Sequence, residues 1–236
     1  MAKNDDEAAL ERLESLAALG QLAAGVTHEV RNAMTGIVGF LQVARKKSAD
    51  AELEQLLALV ESESQRCIEV LKQFLAFSRP LEGTRAPVDL RAAIERVARL
   101  TRHRLGLQQI RIDVEVEGSP PPIVADAAAL QQVLLNLVLN AMQALDGRSG
   151  RVTLALRDGG DGTVVLQVRD DGPGVPAELA ARIFEPFFST KPAGQGTGLG
   201  LAVSRTLIEQ HGGSLSLERT ATGATFTIRL PAQRAA

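Results

Sequence analysis

The sequence contains no Trp and no Tyr, and its 7 Phe make up the whole aromatic complement, 3% of the chain. A core must therefore be built from Leu, Val, Ile and Ala, and there are few rings on which single-stranded bases could stack. Cysteine is as scarce. Cys67 is the only one, which excludes an intramolecular disulfide, argues against a thiolate metal cluster and fits a reducing compartment. An excess of either charge is also missing: 26 Lys and Arg face 28 Asp and Glu, a net charge of −2. That balance gives no electrostatic case for nucleic acid or an anionic membrane surface. No run approaches the roughly 18 apolar residues that span a bilayer. The polar N-terminus, Met1-Ala-Lys-Asn-Asp-Asp-Glu7, lacks the apolar segment of a secretion signal. These absences read as a soluble, cytoplasmic chain with no membrane segment and no nucleic-acid partner. With 236 residues, 45% of them hydrophobic, it can form one large domain or two small ones with a real core.

What is present begins with helices. Residues 7–47 are rich in Ala, Leu and Glu and carry apolar residues at three- and four-residue spacing: Leu10, Leu13, Ala17, Gly20 and Ala24, then Val30, Met34, Ile37, Leu41 and Ala44. A second helix is expected over 51–78, with a heptad seam of Leu53, Leu57, Val60, Ser64, Cys67, Leu71 and Phe74. Cys67 falls on that seam and is expected to be a buried core thiol. Two long helices joined by a short turn make an antiparallel hairpin, which leaves apolar seams exposed and is expected to dimerise into a four-helix bundle. Pro80 ends the second helix, and the Pro-, Gly- and charge-rich stretch 79–87 marks a domain boundary.

After the boundary the pattern becomes mixed. Asp89 can cap a helix over 90–105 with Ile94, Val97 and Leu100 on one face. Ile110, Ile112, Val114 and Val116 alternate with Arg111, Asp113 and Glu115 as a half-buried strand. Further helices are expected at 127–145 and 199–210, and strands at 151–157, 163–169, 215–218 and 225–230. This half reads as an α/β domain with helices on one face of a sheet.

Several short stretches here suit nucleotide chemistry. Asn136 and Asn140, four residues apart, lie on one helix face, and their amide oxygens suit a hard cation such as Mg²⁺; mid-helix Asn is also often just solvated. Asp170-Asp-Gly-Pro-Gly-Val175 follows a strand, where a carboxylate can accept from an exocyclic amine and glycines let backbone approach a flat ring. An ordinary Asp-Gly turn explains it equally well. Gly194-Gln-Gly-Thr-Gly-Leu-Gly200 opens a helix and can cradle phosphate, yet it is neither a P-loop nor a Rossmann fingerprint. Gly223-Ala-Thr-Phe226 is weak alone. In the first helix, His28-Glu29 alone reads as a surface histidine beside an acid.

Taken together and in order, these stretches resemble the sensor histidine kinases of two-component systems. Thr27-His-Glu-Val-Arg-Asn32 looks like the H-box and Asn136–Ala141 the N-box. Asp170–Val175 and Gly196–Gly200 look like the glycine boxes, Ile183-Phe-Glu-Pro-Phe-Phe188 the phenylalanine box, and Gly223–Phe226 a short last glycine box. The likeness covers 16–230, and Arg31-Asn32 with Ala141-Met-Gln-Ala144 points to the nitrogen-regulation type. One departure is Ala33, where this type usually has a helix-kinking Pro, so the first helix is expected to be straighter.

The resemblance implies a dimerisation and phosphotransfer hairpin over 7–80 and a Bergerat-type ATP-binding domain, a two-layer α/β sandwich, over 88–232. It implies ATP and Mg²⁺ as cofactors, and a homodimer and a response-regulator receiver domain as partners. His28 is then the nucleophile, and an unperturbed imidazole, with pKa about 6.5, is neutral at cytoplasmic pH. Glu29 orients its ring proton, and Asn32 positions water for dephosphorylating the partner. Asp170, with Gly172 and Gly174, recognises adenine; Asn140, helped by Asn136, holds Mg²⁺. Gly196, Thr197, Gly198, Leu199, Gly200 and Thr225 complete the ATP site. Lys191 is counted with them, although a solvated lysine is its plainer reading. Phe184, Phe187 and Phe188 are expected to pack the lid, and His103 and His211 to be a solvated helix residue and a helix-end residue. Met1 stands only some 27 residues before His28, so sensor input is expected from another protein or a missing region. A catalytically silent dimeric scaffold that binds nucleotide or a receiver is the alternative.

Overall fold

A computed structural model describes residues 30, 34–46, 51–78, 85–191, 197–219 and 222–233. The chain divides into two compact units, Met1–Pro80 and Leu81–Ala236.

In the first unit, helix α1 (34–46) pairs with α2 (Ala51–Ser78). Val38 and Ile68 are buried, and Glu61 of α2 takes hydrogen bonds from Gln42 at 2.9 Å and Arg45 at 2.7 Å. The heptad seam splits. Ser64 is buried and Leu57 half-buried, whereas Leu53, Val60 and Cys67 are exposed in the single chain. The expected buried thiol is thus corrected. The line packing against α1 runs through Leu57, Glu61, Ser64 and Ile68, and Cys67, about 100° round the helix from Ile68, points off it.

The second unit is a two-layer α/β sandwich. Its sheet has the order β2-β4-β5-β7-β6, from strands Ile110–Glu117, Gly150–Gly160, Thr163–Asp170, Ala224–Pro231 and Ser214–Arg219 for β2, β4, β5, β7 and β6. Only β2 and β4 are parallel; every other neighbouring pair is antiparallel. Helices α3 (Leu90–Gly106), α4 (Ala127–Leu145) and α5 (Gly200–Gln210) pack on one face. The other face carries polar ladders such as Arg169–Glu115 and Gln167–Thr227–Glu218. Two three-residue strands, β1 (Ala86–Val88) and β3 (Ile123–Ala125), pair separately in antiparallel register. Helices α3 and α4 start at aspartate caps. Asp89 accepts from Ala92 N at 3.2 Å and Asp126 from Ala128 N at 2.8 Å, satisfying first-turn amides. Helix α4 ends with left-handed Asp146 before Gly147.

Helix α4 is the centre of the core. Val133, Leu134, Leu137 and Val138 are at most 1% exposed, and α4 packs against β4 and β5, where Val152, Leu154 and Leu156 are also buried. By length and apolarity α4 alone among the described helices could cross a membrane, but half of it is buried inside this unit. The expectation that no such run exists is corrected to that extent. Leu100, expected on the buried face of α3, is 59% exposed, because the buried stripe runs Ile94, Val97, Ala98, Thr101 and Leu105. His211 is no loose helix-end residue. It is buried, its Nε2 accepts from Asp126 N at 2.9 Å and Nδ1 donates to Leu207 O at 2.6 Å. Since an amide can only donate, the ring holds its proton on Nδ1 and ties the end of α5 to the start of α4.

Candidate nucleotide-binding site

Asp170 is the last residue of β5 and is buried. Its Oδ1 accepts from Gly172 N at 3.0 Å and Ala224 N at 3.3 Å, which leaves Oδ2 for an outside donor. Burial pushes the carboxyl above its ordinary value, the two amide bonds pull it back, and neighbouring Asp171 raises it again. The aim of Asp170 depends on Gly223. That residue has φ +80°, and a Cβ there would collide with the Asp170 carbonyl oxygen, so only glycine lets the turn before β7 lie against the end of β5. Thr225 follows on β7 and is buried. A cleft of about 440 Å³ lies beside this turn, between Pro173, Gly174, Val175, Leu179, Gly223 and Ala224, and is lined by neither Asp170 nor Thr225. A 340 Å³ hollow between Glu115, Arg157, Gln167 and Arg169 lies on the outer sheet face and holds none of these groups.

The second part of the site is the α4 face that carries Asn136, Asn140 and Gln143. Asn136 Nδ2 donates to Ser204 Oγ at 2.9 Å, and its Oδ1 lies at the first residue of α5, where a Cβ on Gly200 would strike it. Asn140, one turn on, is half-buried. Gln143 Oε1 accepts from Lys191 Nζ. Lys191 is half-buried, which corrects the solvated reading, and burial holds its amine below the ordinary lysine value. Among the described residues no cluster of three His, Cys, Asp or Glu could hold a metal. The oxygen donors that remain, amide carbonyls beside room for phosphate, fit Mg²⁺ rather than a thiolate- or imidazole-loving ion.

The third part is the start of α5. Thr197 Oγ1 accepts from Leu199 N at 3.2 Å, and no side chain caps the helix, so its first-turn amides point outward. Gly198 O accepts from Phe187 N at 2.9 Å. The three phenylalanines differ. Phe184 meets Phe226 edge-on at 6.4 Å with Arg205 over its ring, Phe188 lies under Arg182, and Phe187 is 69% exposed, so only the first two pack as expected.

The expected residues Asn136, Asn140, Asp170, Gly172, Gly174, Lys191, Thr197, Gly198, Leu199, Gly200 and Thr225 thus sit on α4, the ends of β5 and β7, and the start of α5. His28, Glu29, Asn32, Ala33 and Gly196 lie outside the described residues. Comparison with known proteins gives the same reading. Residues 18–83 match the His Kinase A (phospho-acceptor) domain and 125–234 the histidine kinase-, DNA gyrase B- and HSP90-like ATPase domain. The crystal structure of histidine kinase ThkA in complex with response regulator protein TrrA aligns at TM-score 0.68 and 30% identity, over 98% of this chain and 67% of that one.

The chain belongs to the histidine kinase family.

Full-length ShkA in complex with AMPPNP aligns at TM-score 0.79 and 30% identity, over 92% of this chain and 47% of that one. Sensor histidine kinase ZraS of Klebsiella oxytoca is 41% identical over 94% of this chain, which spans 48% of that kinase. The chain therefore spans about half the length of such relatives. Two contributors to the kinase fold's site escaped the sequence reading, Ser204 and the Asp170-supporting role of Gly223. Ser204 gave no signal, because nothing in the sequence separates it from the exposed polar residues of the same helix, Arg205 and Glu209. Gly223 did, as a glycine just before a strand, but its partner lies 53 residues upstream.

Proposed function

We propose that this chain is a two-component catalytic core that moves the γ-phosphoryl group of ATP to His28 and then to an aspartate of a response-regulator receiver domain. The observation that carries this reading is the buried Asp170, one oxygen locked by two amides and the other left to accept from the adenine amine. Gly172, Gly174 and Thr225 line that base. Gly196, Thr197, Gly198, Leu199 and Gly200 lead the phosphates to the uncapped turn of α5, where amides and the positive helix end favour anions. Burial lowers the Lys191 amine, and a phosphate beside it would favour its charged form. Asn140 and Oδ1 of Asn136 would hold Mg²⁺, which when bound offsets phosphate charge and fixes the γ-phosphoryl in line.

The His28 ring nitrogen attacks phosphorus as its bond to the β–γ bridging oxygen breaks and ADP leaves. Glu29 takes or orients the ring proton. Asn32, one turn on, holds water when the partner is dephosphorylated. The hairpin, 7–80, acts as a homodimer: Ile37, Phe40, Leu53, Leu56 and Val60 face outward from the single hairpin and give it an apolar column to bury. The ATP-binding domain is 88–232, and the TrrA complex of ThkA supports a receiver as partner. The core works in the cytoplasm, with its signal supplied by another protein or by a region outside this chain.

Incubation with γ-labelled ATP and Mg²⁺ tests the reading. Acid-labile label is expected on the parent and is expected to vanish in His28→Ala, at least 100-fold below the parent. Acid-stable label, or label kept in the mutant, rules the phosphohistidine out.

A further inference from the structure

Ser204 is 1% exposed on a helix whose other buried residues, Ala202, Val203, Leu207 and Ile208, are apolar. A buried hydroxyl without a partner is costly, so its single bond to Asn136 Nδ2 at 2.9 Å defines its environment. In that bond Nδ2 faces Ser204, and Oδ1 lies at the start of α5, beside Gly200, where no Cβ stands in the way. A hydroxyl can accept or donate, so the bond holds the amide in place without by itself choosing between its ends.

We infer that Ser204 is a positioning residue of the nucleotide site: it anchors the Asn136 side chain beside Gly200, and so couples α4 to the phosphate-binding end of α5. This rests on the Mg²⁺–ATP reading of the site and adds a residue outside every motif that suggested it. Without the hydroxyl the amide loses its anchor on α5 and no longer holds one position for a cation. Metal-dependent binding then suffers, while recognition of adenine by Asp170, on another element, does not.

The test titrates the full chain and its variants with ATP, once with excess Mg²⁺ and once in EDTA, alongside thermal melts. Ser204→Ala is expected to weaken Mg²⁺–ATP binding about tenfold, with less than a twofold change in EDTA, and to lower the melting temperature by no more than a few degrees, since the lost bond belongs to the folded state. Ser204→Cys, close in volume but a poor acceptor, is expected to behave like Ser204→Ala, and Ser204→Thr to restore affinity to within about threefold of the parent. Unchanged Mg²⁺–ATP affinity in folded Ser204→Ala overturns the inference. So does equal weakening with and without Mg²⁺ accompanied by a lower melting temperature, which marks a purely structural serine. A parent that binds ATP under neither condition overturns the nucleotide reading itself, a result distinct from both.

Discussion

Asp170, the carboxylate proposed to recognise the base, comes at a cost to the fold. Its carboxyl is raised by burial, so folding favours the protonated form. The stability this provides is present below the ordinary carboxylate range, about pH 4, and is lost as pH rises through the raised folded value. At neutral pH, therefore, the ionised group is a burden. Asp170→Asn keeps Oδ1 as acceptor for Gly172 and Ala224 and removes the charge. Its melting temperature at pH 7 is expected to be no lower than the parent's, and its stability to vary less between pH 4 and 7. At the same time an NH₂ now faces the adenine amine, and ATP affinity is expected to fall about 30- to 100-fold, since an unpaired buried donor costs about 2–3 kcal/mol. Calorimetric titration and melts across that pH range check both halves. A variant that binds ATP normally removes Asp170 from base recognition.

Among the elements, the segment between the 3₁₀ turn at Arg182–Phe184 and α5 is closed by one backbone crossing. Phe187 has φ +66° and donates to Gly198 O, and Gly198 itself has φ +65°. A non-glycine residue in that region costs about 1 kcal/mol, and the Phe187 ring, 69% exposed, recovers little by packing. Phe187→Gly is thus expected to keep or raise stability by up to about 1 kcal/mol, and Phe187→Val, β-branched, to lower it by about 1 kcal/mol or more; chemical denaturation separates them. The same scale explains what could be read from residues alone. Helices α2 and α4 were predictable to the residue, because each has a long period and an explicit start or stop such as Pro80 or Asp146-Gly147. Strands β2 and β5 showed in their apolar content. Strands β1 and β3, three residues each beside prolines, carry no period to detect. Cys67 and Leu100 were placed inward because a heptad stripe is wide enough to hold two faces, and only the neighbouring element decides between them. The pairs Asp170–Gly223 and Asn136–Ser204 join distant chain segments, so their chemistry was invisible until the elements were packed.

At the scale of the whole molecule the two units have separate cores. A chain of residues 81–236 is expected to melt cooperatively and to bind ATP with the affinity of the full chain, within about threefold, while taking up no label from γ-labelled ATP; loss of nucleotide binding on removing the hairpin would mean the units do not fold independently. Within the second unit, the groups proposed to meet ATP are spread from Asn136 to Thr225, and one of the two amides that steady Asp170 belongs to Ala224 on β7, the last strand in chain order. β7 inserts between β5 and β6, so the sheet is incomplete until it arrives. During synthesis, then, a nascent chain carries Asn140, Asp170 and the start of α5 outside the ribosome with no site to show for them. Nucleotide binding by this unit is then expected only once the β6–β7 pair has been made and β7 has closed against β5.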